Sequence, residues 1–167
     1  MYSYNRYAKH FQAQKINAAE TSVTPSALNG DRRLLSLLDI AMANTAGMAN
    51  RYSMLYQDDA MGDAQELIKS MYIDELKNVK QLQDMYFQIT QQPYQKSVNE
   101  FQFELPITTG ADLLEETLMV EMDDINFMRD LMLSVPSTQL RDILYGIITD
   151  KQNHTCILNY LMAKNFA

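Results

Sequence analysis

Apolar residues recur at three- and four-residue intervals along most of the chain, the spacing that lines one side of an α-helix. A first helix is expected roughly from Arg32 to Tyr56, with the stripe Leu34, Leu38, Ala41, Thr45, Met48, Tyr52 and Leu55. Asp58, Asp59 and Gly62 mark a short turn. A second helix follows to about Ile89 on the stripe Ile68, Met71, Glu75, Val79, Leu82, Tyr86 and Ile89. Pro93, Pro106 and Gly110 interrupt the next stretch, so residues 91–110 do not read as one continuous helix. A third helix starts near Ala111 and carries Leu114, Leu118, Glu121, Ile125, Met128 and Met132. It stops before Pro136, and Ser137 can cap a fourth helix with the stripe Leu140, Leu144, Ile147, Lys151, His154, Leu158 and Leu161.

Residues 1–30 differ from the rest and read as an N-terminal leader or arm, with 31–167 as the folded domain. Tyr4, Tyr7 and Phe11 form the apolar side of a short helix or arm, followed by the linker-like run Thr21 to Ser26. The leader is read as partly ordered, with docking on a neighbouring subunit or on a membrane surface as the sharper alternatives.

The chain is long enough for one domain with a useful core. A net charge of −7 with no basic patch argues against a nucleic-acid partner. No apolar run approaches a membrane span, and the polar start lacks a signal-peptide core. Cys156 is the only cysteine, which excludes an internal disulfide or a cysteine zinc cage and points to a reducing cytoplasm. It is read as a packed thiol. Twelve methionines and no tryptophan suggest a soft, irregularly filled core.

Against these stripes, three ionisable residues stand out: Glu75, Glu121 and Lys151. Each falls near a helix midpoint, where an unpaired charge is strongly disfavoured. Asn78 follows Glu75 by one turn and His154 follows Lys151 by one turn. Thr45 precedes Glu75 by the interval that separates Glu121 from Lys151, so two similar hairpins would bring their midpoint residues to one level of the core. The doublets Asp123-Asp124 and Glu115-Glu116 are read as solvated surface charges, Tyr52 as core packing with its hydroxyl paired, and His10 as isolated. No residue is assigned a catalytic or cofactor-binding role.

Four long amphipathic helices in two antiparallel hairpins, joined by one long crossover, describe an all-α, ferritin-like four-helix bundle. The segment Ile147 to His154 followed by Asn159-Tyr160-Leu161 resembles the last helix of rubrerythrin-like members of the ferritin superfamily. Asp74-Glu75-Leu76-Lys77-Asn78 is similar to their second helix, and Glu121 through Phe127-Met128-Arg129-Asp130 to their third. The resemblance spans roughly 32–165. It implies a dimetal site taking one Glu from each of the first and third helices and a Glu-x-x-His pair from each of the other two. Carried onto this chain, Glu75, Glu121 and His154 keep their slots, whereas Thr45, Asn78 and Lys151 depart from the pattern. The four-cysteine rubredoxin-like module of true rubrerythrins is absent from the sequence.

Two readings stay open. In the first, the protein has no cofactor, and an ammonium at Lys151 flanked by Glu75 and Glu121, with Thr45, Asn78 and His154 supplying hydrogen bonds, replaces the metal pair in a non-enzymatic structural or interaction protein. In the second, Glu75, Glu121 and His154 hold iron or manganese in an altered oxidoreductase or iron-handling protein. The resemblance further implies a bacterial source, a cytoplasmic and conceivably spore-associated setting, and a homodimer.

Overall fold

The computed structural model describes residues 28–96 and 110–166, and these form an all-α four-helix bundle. Helix α1 spans Leu28–Tyr56, α2 Gln65–Thr90, α3 Gly110–Ser134 and α4 Thr138–Phe166. Residues 1–27 of the expected leader lie outside the described residues, while 28–30 belong to α1. The helix begins four residues before Arg32 because Asn29 and Gly30 fall in its first turn. Amide groups there have no intrahelical acceptor in any case, so poor helix formers cost little.

Local chemistry sets the ends. Asp58 accepts the Ala60 amide at 2.9 Å and opens a short 3-10 turn, Asp59–Ala64. Gly62 in that turn has φ 48 and ψ −125, a conformation strained for any residue with a side chain. Gln91 ends α2 in the left-handed region at φ 57, its amide bonding to the Phe87 carbonyl. The Ser137 hydroxyl accepts the Leu140 amide at 3.4 Å and caps α4, as its place after Pro136 suggests.

The apolar core is divided in two. One cluster packs Leu34, Leu38 and Met42 of α1 with Leu82 and Met85 of α2, Met128 and Leu131 of α3, and Leu144 and Ile147 of α4. The other packs Met48 and Leu55 with Ile68 and Met71, Leu114 and Leu118, and Leu158 and Leu161. Early α1 therefore meets late α2, late α3 and early α4. It follows that α1 runs antiparallel to α2 and α3, and parallel to α4. A fully buried Leu, Ile or Met contributes about 1.5–3 kcal/mol, so these two clusters supply most of the driving force. Between them lies a slab whose buried side chains are polar.

This order makes the connection between α2 and α3 join opposite ends of the bundle. Tyr94 and Lys96 just after α2 contact Asp39, near the start of α1. The amide of Gly110 at the head of α3 donates to Asp58, just past the end of α1, at 3.2 Å. Those two places lie roughly 28 Å apart along the direction of α1. The chain from Lys96 to Gly110 can reach about 45 Å, enough to run the length of the bundle. Among the described residues, no helix is long and apolar enough to cross a membrane.

Candidate functional site

The polar slab is built by register. On α2, α3 and α4 a pair of polar residues at positions i and i+3 replaces one apolar turn of the inward stripe: Glu75 and Asn78, Glu121 and Asp124, Lys151 and His154. All six are buried, as is Thr45 on α1. Apolar clusters lie above and below, so the charged groups of the slab find their partners chiefly in one another.

Lys151 stands at the centre. Its Nζ lies 2.8 Å from Glu75 Oε2, 2.8 Å from Asp124 Oδ2 and 3.3 Å from Glu121 Oε2, and all four side chains are fully buried. Glu121 binds on its other oxygen as well. Its Oε1 accepts the Tyr52 hydroxyl at 3.0 Å and lies 3.0 Å from Nδ1 of His154. That same Nδ1 is 3.1 Å from Glu75 Oε1, so one ring nitrogen spans two carboxylates. On the far side, His154 Nε2 is 3.8 Å from Asp74, a partly exposed acid at the rim. The Asn44 amide donates to Asp124 Oδ1 at 3.1 Å, and the Tyr52 ring meets the His154 ring edge-on at 5.4 Å.

Electrostatics follow from this geometry. Burial alone would push the Lys151 ammonium to lose its proton, but Asp124, Glu121 and Glu75 outweigh burial and hold it well above the usual lysine range. Burial raises Glu75 and Asp124, and Lys151 offsets that only in part. Burial would raise Glu121 too, yet Lys151, His154 and Tyr52 together hold it below the ordinary glutamate value. His154, disfavoured by burial as a cation, is nevertheless raised to about 9 by Glu121 and Glu75. Two cations thus face three acids at neutral pH, with the two raised acids best placed to share a proton. Tyr52 stays protonated, since burial and then the charge of Glu121 raise its hydroxyl well above 10.0.

The His154 shift makes a pH prediction. A histidine raised in the folded state contributes stability that is complete below its unfolded value near 6.5 and is lost as pH climbs through about 9. Unfolding free energy from urea titrations is expected to fall between pH 7 and 9.5 by on the order of 3 kcal/mol at most. In His154→Gln that slope should vanish.

Several sequence expectations are corrected. Asp124 is not a solvated surface charge but a full member of the cluster; only Asp123, one helical step round, faces outward, half-buried with its carboxyl raised by burial. Glu116 reaches Arg51 of α1 at 3.4 Å instead of facing solvent alone. Thr45 and Asn78 are buried at the expected level, and the Thr45 hydroxyl and the Asn78 amide nitrogen find no hydrogen-bond partner among the described residues. Cys156 is exposed, not packed, because it follows His154 by two residues and so points away from the core. Asn44 was not anticipated, and its sequence gave no periodic signal.

The donor set can be tested against metal. Glu75, Glu121 and His154 each offer a ligand atom within 4.8 Å of the others. A metal pair does not fit: the Lys151 ammonium already touches every carboxylate of the cluster, and further positive charge beside it would lack balancing acids. Comparison with protein-family models and with curated proteins gives no match to this chain.

Proposed function

We propose that this is a ferritin-like protein of the rubrerythrin-like kind in which a buried Lys/Glu/Asp network stands in for the dimetal centre, leaving a non-enzymatic scaffold that acts through protein contacts. The observation that carries the reading is the Lys151 ammonium bonded to acids from α2 and α3 at 2.8–3.3 Å. Two antiparallel hairpins with an end-to-end connection, and polar i, i+3 pairs at mid-helix, are what a dimetal bundle would leave behind when its ligands change. Such a network sets helix register more than it adds stability. Nothing in it is arranged for turnover: each acid and base is fully buried or, for His154, nearly so.

The second reading, a single iron or manganese ion on Glu75, Glu121 and His154, draws on the closeness of those ligand atoms. It requires His154 to give up a proton held to about 9 and a cation to enter beside Lys151. Metal content separates the two. Protein purified from cells grown with added iron and manganese is expected to carry well under one equivalent of either metal. A stoichiometric metal that is lost in His154→Ala would favour the second reading.

A further inference from the structure

The helices differ in the charge they leave unpaired at the surface. On α2 each exposed lysine has an acid on its own helix: Lys69 with Glu66 at 3.7 Å, Lys77 with Asp74 at 2.9 Å, and Lys80 with Asp84. On α3, Asp112, Glu115 and Asp130 are exposed and form no ion pair among the described residues. Half-buried Asp123 borders them. Arg129 is the one base of α3, and none lies in its last turn, where the helix dipole favours one. Apolar groups share this acidic face. Leu133 is 74% exposed and Met122 42%. Glu115, Met122, Asn126 and Leu133 follow one another at seven, four and seven residues, which sets them along one side of the helix. Unpaired acids around exposed apolar side chains fit a partner that brings bases and apolar groups together.

The chain carries such a segment in residues 1–27. Arg6, Lys9 and Lys15 stand there against Glu20 alone, in a chain whose net charge is −7. Tyr4, Tyr7 and Phe11 are interleaved with those bases. The segment ends where α1 begins, at Leu28. Because α1 runs antiparallel to α3, that point lies at the same end of the bundle as Asp130 and Leu133. Bonds from Asn44 to Asp124 at 3.1 Å and from Arg51 to Glu116 at 3.4 Å fix α1 directly beside α3. The run Thr21 to Ser26 can span about 20 Å, roughly twice the usual spacing of neighbouring helix axes. The other helices suit a basic segment less. Arg32 and Arg33 are exposed on α1, α2 pairs its own acids, and α4 exposes one acid, Asp142, beside Arg141.

We propose that the basic, aromatic leader docks on the outer face of α3 of its own chain. Its bases meet Glu115 and Asp130, and its rings cover Leu133 and Met122. The leader then holds the acidic, apolar face that a basic segment of another protein would use, and so competes with such a partner from within. That competing role rests on the scaffold reading. The docking itself does not: it holds whichever group fills the polar slab, and its test reads the leader instead of metal, so either can fail alone.

Proteolysis follows the population of the undocked segment, so trypsin should cut the full chain after Arg6, Lys9 and Lys15 roughly fivefold more slowly than the triple variant Glu115→Gln, Asp130→Asn, Leu133→Asn. All three substitutions fall on exposed positions, and helical circular dichroism should be unchanged. Glu66→Gln with Asp84→Asn on α2 should leave the wild-type rate intact. High salt should remove much of the protection, since the paired charges lie at the surface. A carbodiimide, which joins amines to carboxylates in contact, gives a readout that needs no variant. By mass spectrometry it should link Lys9 or Lys15 to Glu115, Asp123 or Asp130 within one chain, with a yield independent of protein concentration. Equal cleavage of wild type and the α3 variant, links formed only between chains, or leader lysines joined instead to acids of α2 or α4, overturns the proposal.

Discussion

Lys151→Met is expected to be the most damaging single substitution in the bundle. It leaves Glu75, Glu121 and Asp124 fully buried and facing one another, with only His154 among the cluster to balance them. Removing one partner of a buried ion pair costs about 3–5 kcal/mol. Total stability of a domain is about 5–15 kcal/mol, so the loss should lower the thermal midpoint by roughly 10–15 °C. The deficit is tied to pH. Acids raised by burial lose stability as pH rises past their unfolded values near 4 and regain it when protonated, so acidification from pH 7 to 5 should narrow the gap between variant and wild type. Adding Glu75→Gln, Glu121→Gln and Asp124→Asn should recover most of the loss, since a cluster without charges no longer needs a cation. Recovery would separate electrostatic damage from a simple packing defect. A Lys151→Met protein as stable as wild type at pH 7 would mean that the amine does not hold the acids together.

The second large effect is a gain. Lys151→Glu combined with Asn78→His removes the resident cation and completes a Glu-x-x-His pair on each of α2 and α4, beside Glu121 of α3. Without metal this variant should be at least as unstable as Lys151→Met, because four acids then crowd one level of the core. With manganese, iron or zinc it should recover, because ions that bind only the folded chain stabilise it by mass action, about 2.7 kcal/mol at a hundredfold excess over Kd. Calorimetric titration should show binding in the variant and none in the wild type. No rise in melting temperature with any of these metals would count against descent of this slab from a dimetal centre.

Much of this was readable along the chain because helical periodicity survives wherever burial is one-sided. Each of the four stripes continued through its midpoint, so a charged or polar side chain inside a stripe had to be inward. Periodicity alone therefore puts Glu75, Glu121, Lys151 and His154 at one level of the core. Asp124 escaped for a physical reason. Neighbouring acids usually share solvent, but successive helical residues diverge by about 100°, so Asp123 and Asp124 part company and only the offset of three from Glu121 betrays the inward one. The same offset joins Glu75 to Asn78 and Lys151 to His154, and it was the signal available. The pairing partners of Thr45 and Asn78 were not legible, since spacing gives depth and face but not the angle that makes a hydrogen bond. α1 starts earlier than periodicity suggests, because Asn29 and Gly30 punctuate a chain only when nothing else favours the helix.

The Lys151 amine occupies the middle of the bundle, paired with Glu75, Glu121 and Asp124. Anomalous diffraction from crystals grown with manganese(II) or iron(II), collected above the absorption edge of each metal, tests it most directly. No anomalous peak is expected between α2 and α3, with the Lys151 Nζ instead within ion-pair distance of Glu75 and Asp124. A strong peak ligated by Glu75, Glu121 and His154, with the Lys151 side chain turned away, would contradict it.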